Sequence, residues 1–233
     1  EQFKVPFKGG FQLLDFPGDP KGSAGNIINC RCNSALIPRR DENGRLVFTD
    51  EPKPNVVDNS IKREINIRNY EETIRNQDFE SARFYDKDGN IILTKKGTKD
   101  SVDFTLKEQR LIKDNYVTHN HPGKMLPSGI VEQSFSPEDI YISLVRMPKE
   151  MRAVTKNKTF VMKPLKQINT QRELTALKKH VKNVKTSVFK DLSKQLRDGK
   201  INISEYESNY WDNIWAKISS EGKYKDYFNY KKI

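Results

Sequence analysis

Two of the three histidines of this chain, His119 and His121, stand two residues apart in the run Tyr116-Val117-Thr118-His119-Asn120-His121-Pro122. In a β-strand, side chains at i and i+2 leave from the same face, so both imidazoles can reach one ion. A hydrolytic zinc site needs three protein ligands and one open position, where the ion lowers the pKa of a bound water to about 7. Asp139 is the candidate third ligand, because Ser136-Pro137-Glu138-Asp139 opens a helix and places its carboxylate in the first turn. Ser136, one turn earlier, can offer its hydroxyl to the oxyanion that forms when a carbonyl is attacked. A base must still take a proton from the water. Glu80, just ahead of the β-prone run from Ala82 to Tyr85, is the candidate that could meet the histidines across a sheet, and Glu71 and Glu72 compete with it. The same letters also carry a structural reading: Ser-x-x-Asp before an apolar helix is a capping box, and one residue can both cap and coordinate.

The elements that must position these groups follow from local pattern. Ala82 to Tyr85 and Ile91 to Thr94 flank Asp86-Lys87-Asp88-Gly89-Asn90, a hairpin signal. Thr105 to Glu108 has capping-box spacing and predicts a short helix through about Lys113. Asn115 to His121 reads as a strand. Ser136 as N-cap with Pro137 at the first helical position predicts a helix through Val145. Met151 to Thr155 and Thr159 to Met162 form a second hairpin pattern around Lys156-Asn157-Lys158. Beyond Pro164 the spacing turns helical: Leu174, Leu177, Val181, Val184, Val188, Leu192 and Leu196 recur at three and four, with Gly199 as a stop. A second helix over about Ser204 to Ser219, carrying Tyr206, Tyr210, Trp211, Ile214, Trp215 and Ile218, could pair with the first. The fold class expected is α+β, a mixed sheet with helices, preceded by an extended, loop-rich arm and followed by a helical tail.

The chain has 233 residues, 35% hydrophobic and 31% charged, enough for one modest core with extended additions. Residues 1–50 are rich in Gly, Pro and polar turn signals, and Glu51-Pro52-Lys53-Pro54-Asn55 reads as part of a linker over 51–59. Residues 60–164 form the candidate catalytic domain and 165–233 the helical tail. A chain opening on Glu1 without a basic and then an apolar stretch is expected to be a fragment or processed product lacking a signal peptide. No apolar run reaches the roughly 18 to 20 residues a bilayer requires, so no membrane contact is expected. Leu165 to Ile233 carries 15 Lys/Arg against 8 Asp/Glu, which is +7 of the net +11. That excess favours nucleic acid or an acidic protein surface as a partner.

Taken together, Glu80, His119-Asn120-His121-Pro122 and Ser136-Pro137-Glu138-Asp139 resemble the signature of the JAB/MPN (JAMM) metallopeptidases, Glu, then His-x-His, then Ser-x-x-Asp. The match covers roughly residues 60–164, and the Asp86–Asn90 hairpin and the Thr118–Pro122 stretch are similar to the prokaryotic and phage-associated branches. The resemblance implies a cytidine deaminase-like mixed sheet and hydrolysis of a peptide or isopeptide bond. By the same resemblance His119, His121 and Asp139 bind Zn2+, Glu80 is the base and Ser136 helps the oxyanion. The gap from His121 to Ser136 is longer than is usual in that family, so residues 123–133 read as an insertion near the site.

Pro17-Gly18-Asp19-Pro20 through Asn29-Cys30-Arg31-Cys32 resembles the end of the minor head protein domain of Mu-like phages. That likeness implies a head-morphogenesis protein of the virion, at the capsid or portal and in the host cytoplasm during assembly, with capsid or portal proteins as partners. Cys30 and Cys32 are too close for an easy disulfide, and the one histidine left over, His180, does not complete a zinc set. They read as two small buried hydrophobes pinning a loop. The basic tail is expected to contact a neighbouring subunit, or DNA. Three functions compete: a zinc peptidase acting on a protein or peptide, a virion connector with an inactive JAB-like scaffold, and an HNH-type nuclease suggested by the literal His119-Asn120-His121. The last ranks lowest, because its three residues would be dispersed over a hairpin and helix rather than consecutive in one strand.

Overall fold

Val117 and Met151 face each other across parallel strands at the centre of a six-stranded sheet, and that pairing sets the frame for everything around it. A computed structural model describes residues 58–233 throughout and, before them, the backbone of four strands. The chain divides into two compact units, Glu1–Asn55 and Val56–Ile233.

In the first unit, β1 (Phe3–Phe7) pairs antiparallel with β2 (Gly10–Leu14), and β3 (Arg39–Arg40) with β4 (Leu46–Val47). The sequence reading of this region as loop-rich missed the first hairpin, whose strands are separated by only two residues, one of them glycine. Residues 15–38, with the Gly-Asp segment, Cys30 and Cys32, lie outside the described residues, as does most of the predicted linker.

The second unit runs α1 (Asn59–Ile74), β5 (Ser81–Tyr85), β6 (Ile91–Lys96), α2 (Leu106–Arg110), β7 (Tyr116–Asn120), β8 (Lys124–Leu126), β9 (Gly129–Val131), α3 (Pro137–Arg146), β10 (Glu150–Val154), β11 (Thr159–Pro164), α4 (Gln171–Arg197), α5 (Ile203–Ser220) and β12 (Phe228–Lys232). The sheet order is β12-β11-β10-β7-β5-β6. β7 lies parallel to β10 and every other neighbouring pair is antiparallel. The class is therefore α+β with a mixed sheet, as the pattern predicted.

Strand alternation sorts the two faces. Phe84, Val117, Met151, Ala153, Phe160 and Met162 join the main core with α3, α4 and α5, while Tyr85 packs with Ile67, Tyr70 and Ile74 of α1 on the other side. The predicted α4 stripe is buried from Leu177 through Leu192, and Gly199 ends that region at φ +68, which glycine adopts without strain. Helix α1 escaped the sequence reading because Ile61 and Ile65 are exposed on its outer side, which blurs the apolar periodicity. Its start is nonetheless written in Asp58, whose side chain accepts from the Ser60 amide.

Residues 165–233 were expected as a separate tail. Here α4 and α5 pack in the main core and β12 forms the sheet edge beside β11, all within the second unit. Leu165 and Lys166 amides donate to the Tyr227 carbonyl, fastening the entry of this region to its exit.

Candidate metal centre

His119 lies on β7 and His121 one residue past its end at Asn120, so the two side chains, two residues apart, share a face. The His121 amide still donates to the Val154 carbonyl at 2.8 Å, continuing the pairing with β10 by one residue. Pro122 then has no N–H to offer. The two Nε2 atoms lie 3.0 Å apart. The first turn of α3 brings Asp139 to them: Oδ1 is 3.5 Å from His119 Nε2 and Oδ2 is 3.4 Å from His121 Nε2. Ligand atoms about 2.0–2.1 Å from a tetrahedral zinc sit roughly 3.3 Å from one another. Each imidazole therefore lies near that spacing from the other and from one oxygen of Asp139, a different oxygen for each ring, and the three residues form a metal-capable group among the described residues.

The orientation of each ligand is held from behind. His121 Nδ1 faces the Gln133 carbonyl at 3.2 Å, which fixes Nδ1 as the N–H and leaves Nε2 free in the neutral ring. Asp139 Oδ2 accepts from both the Ser136 amide and the Ser136 hydroxyl at 2.8 Å, and the Asp139 amide donates to Ser136 Oγ at 3.2 Å. This is the predicted capping box, and it also aims the carboxylate, which the positive end of α3 favours. In this geometry the Ser136 proton is spent on Asp139 rather than offered to a carbonyl. The indole of the fully buried Trp215 donates to the Phe135 carbonyl at 2.8 Å, so α5 anchors the residue preceding this turn.

Glu80 stands opposite. Ala82 is the last β5 residue paired with β7, opposite His119, and Glu80 two residues earlier lines the same cavity as both imidazoles and feels their charge. Its backbone is held on both sides: the Glu80 amide donates to Thr98 O and its carbonyl accepts from Gly97. Burial pushes the Glu80 carboxyl up, and the two imidazoles pull it partly back. Asp139 is held well below the usual carboxylate range, burial opposing and the His119 and His121 contacts prevailing. For His121, burial disfavours the charged ring, yet the Asp139 hydrogen bond and the Asp139 and Glu80 charges raise its pKa to about 9. A proton on the His121 ring thus balances part of the negative charge of Asp139 and Glu80.

The competing glutamates lie elsewhere. Glu71 is buried on the α1 side, where it accepts from the Thr118 hydroxyl at 3.0 Å and faces Arg152, and Glu72 is exposed beside Arg75. Thr118 alternates with His119, so Glu71 sits across the sheet from the candidate site.

Comparison with known proteins returned no matching family model, no similar curated protein and no similar solved structure.

Several supports were not visible to sequence reasoning. Asn120, between the histidines, points to the opposite face and is almost fully buried. Its side-chain oxygen accepts from the Ser81 amide at 2.6 Å and its nitrogen donates to the Phe79 carbonyl at 2.9 Å, so it grips the chain on both sides of Glu80. Gly97 permits the 98–102 turn to close over the same spot, since a Cβ there would lie 2.1 Å from the Ser101 carbonyl oxygen. The turn brings the Val102 amide towards the Glu80 carboxylate. None of these is encoded in a local pattern.

The expected insertion near the site is the β8–β9 hairpin, and it is tied to α5. Ser128 and Ser204 hydroxyls meet at 2.6 Å, Ser204 Oγ donates to the Gly129 carbonyl, and the Glu132 amide donates to Ser208 Oγ. The cavity over the metal-capable group, about 640 Å³, is lined by Glu80, His119, His121, Ser136 and Asp139 together with residues of 100–104, α3 and α4, and by no residue of the hairpin.

Proposed function

We propose that this chain is a phage or prophage minor head protein carrying a zinc-dependent peptidase or isopeptidase of JAB/MPN type. The single observation that supports the catalytic part is the convergence of His119, His121 and Asp139, their ligand atoms within 4.8 Å of one another, with Glu80 lining the same cavity. Zn2+ held there would supply Lewis acidity, polarising a carbonyl oxygen and making water nucleophilic near neutral pH.

The chain's own groups divide the remaining work. His119 and His121 offer Nε2, the second ring being set by the Gln133 carbonyl. Asp139 offers a carboxylate oxygen, aimed by Ser136. Glu80 accepts the proton of the attacking water and returns it to the leaving amine, a task suited by a carboxyl whose proton affinity burial has raised. Ser136 keeps Asp139 in place at rest, and rotation of its hydroxyl frees a donor for the developing oxyanion. Asn120 fixes the backbone on which Glu80 rides.

The virion assignment, at the capsid or portal with host cytoplasm as the place of assembly, rests on the likeness of residues 17–32. A DNA contact through residues 165–233 is the weaker proposal for that segment. Tyr210 meets Trp211 edge to face, Trp211 stacks on Trp215, and Trp215 is fully buried, so aromatic groups that could have received bases are engaged in packing. The nuclease reading loses support from Asn120, whose amide is occupied on the opposite face of the sheet. The described residues contain no helix long and apolar enough to cross a membrane.

The decisive experiment incubates the zinc-loaded chain with a proteome-derived peptide library and reads new termini by mass spectrometry. Zinc-dependent termini that vanish in Glu80→Gln are expected. A chain that binds one zinc yet generates none would leave the inactive-scaffold alternative standing.

A further inference from the structure

The cavity that contains the metal-capable group does not end there. Val117 lies two residues before His119 on the same face of β7, roughly 6.6 Å along the strand, and is in register with Met151 of β10. Helix α3 runs back along this floor from its N-terminal Asp139, and its residues Ile142 and Val145, at steps of three, continue the wall for about 9 Å. Val102 and Phe104 close the second side, and Leu174 of α4 reaches in from the region read from sequence as a tail. One continuous space of about 640 Å³ thus has an ion-ligating, proton-accepting end and a mainly apolar end, with Gln109, Arg146 and Lys178 also on its lining. Its size falls in the range of ligand sites and far exceeds the voids that packed cores tolerate.

We infer that the apolar end is the side-chain subsite of the substrate, and that the enzyme acts at a carbonyl flanked by a bulky aliphatic or aromatic residue. This rests on the hydrolase reading above. A carbonyl placed between His119, His121 and Glu80 leaves an adjacent side chain facing the half-buried walls Val102, Phe104, Ile142, Val145 and Leu174, over a floor of Val117 and Met151 that the core already buries. A glycine at that position would leave those walls in contact with water, whereas a Leu or Phe side chain removes both its own surface and theirs from solvent. The open apolar space therefore discriminates in favour of large apolar neighbours and against small ones.

The test uses amino-acid hydroxamates, which chelate zinc through the same group while varying only the side chain. Calorimetric titration of the zinc-loaded full chain should find leucine and phenylalanine hydroxamates binding about 10- to 100-fold tighter than glycine hydroxamate, the gain expected from burying one such side chain. Filling the apolar end, by Val145→Trp from α3 or Leu174→Trp from α4, should collapse that ratio towards one while the chain still takes up one zinc. Equal affinities of the three hydroxamates for the zinc-loaded wild type overturn the inference and leave the hydrolase reading intact. A wild type that takes up no zinc removes both.

Discussion

Zinc should stabilise the folded chain, and its grip should tighten as pH rises to about 9. The two Nε2 atoms lie 3.0 Å apart and each is within 3.5 Å of one Asp139 oxygen, so folding has met most of the ordering cost of the site before the ion arrives. At free zinc about 100 times the dissociation constant, binding adds about 2.7 kcal/mol to the folded state. For a unit of this size, each kcal/mol moves the melting temperature by about 2–4 °C, giving a rise of about 5–11 °C. A His119→Ala or Asp139→Ala variant whose affinity falls a hundredfold retains about 0.4 kcal/mol under the same conditions, or about 1–2 °C. The proton adds a second signature. His121 in the metal-free protein has its pKa raised to about 9 from 6.5, so its ion pair with Asp139 contributes stability fully present below about pH 6.5 and lost as pH rises through about 9. Zinc must displace that proton, so its affinity should climb about tenfold per pH unit up to about pH 9 and then level off. Scanning calorimetry with and without zinc, from pH 6 to 10, should therefore show the metal-free melting temperature falling while the zinc-induced increment grows. An increment that survives in both ligand variants would refute the convergence of these residues on one ion, and an affinity flat across pH 7 to 9 would refute the raised pKa of His121.

Glu80→Gln should keep the zinc-induced increment in melting temperature and lose about 10²–10⁴-fold in cleavage rate, measured on whichever library peptide the wild type cuts fastest; wild-type turnover would reassign the base. Asn120→Ala removes both hydrogen bonds that grip Phe79 and Ser81, leaving buried groups unpaired at a cost of about 1–3 kcal/mol by denaturant unfolding. Its turnover should drop more than its zinc affinity, and an unchanged turnover number would strip Asn120 of its positioning role. On the far face, Arg152 compensates buried Glu71 and Glu150 and binds Glu64, so Arg152→Ala should cost about 3–5 kcal/mol without touching zinc uptake. Acid should act on the same cluster: Glu64, whose burial is outweighed by its hydrogen bonds to Arg152 and Arg68, has its pKa lowered to about 2. Its contribution is present above pH 4.5 and should fade as pH falls towards 2, a loss absent from the unfolding curves of Glu64→Gln.

The local chemistry of this chain was written in its residues. The i, i+2 spacing of His119 and His121, the capping box of Ser136 and Asp139, the hairpin around Gly89 and the long stripe of α4 each arise from interactions within a few residues, so each could be inferred from spacing alone. Helix α1 and the hairpin β1–β2 are also local structures, but mixed faces and short strands weaken their periodicity.

What tertiary structure decided is which of these pieces meet. Glu80 and Glu71 look alike in sequence, and only the β5–β7 register, with α1 lying across the opposite face, puts one beside the imidazoles and the other under Arg152. Asn120 gains its role because strands β5 and β7 part at Glu80, leaving backbone groups for a side chain to satisfy. The basic region after Pro164 reads as an appendage, yet α5 anchors Phe135, α4 walls the cavity and β12 completes the sheet. Each depends on a contact between residues far apart along the chain, fixed by burial of a shared core rather than by any local preference, and no window of neighbouring residues contains that information.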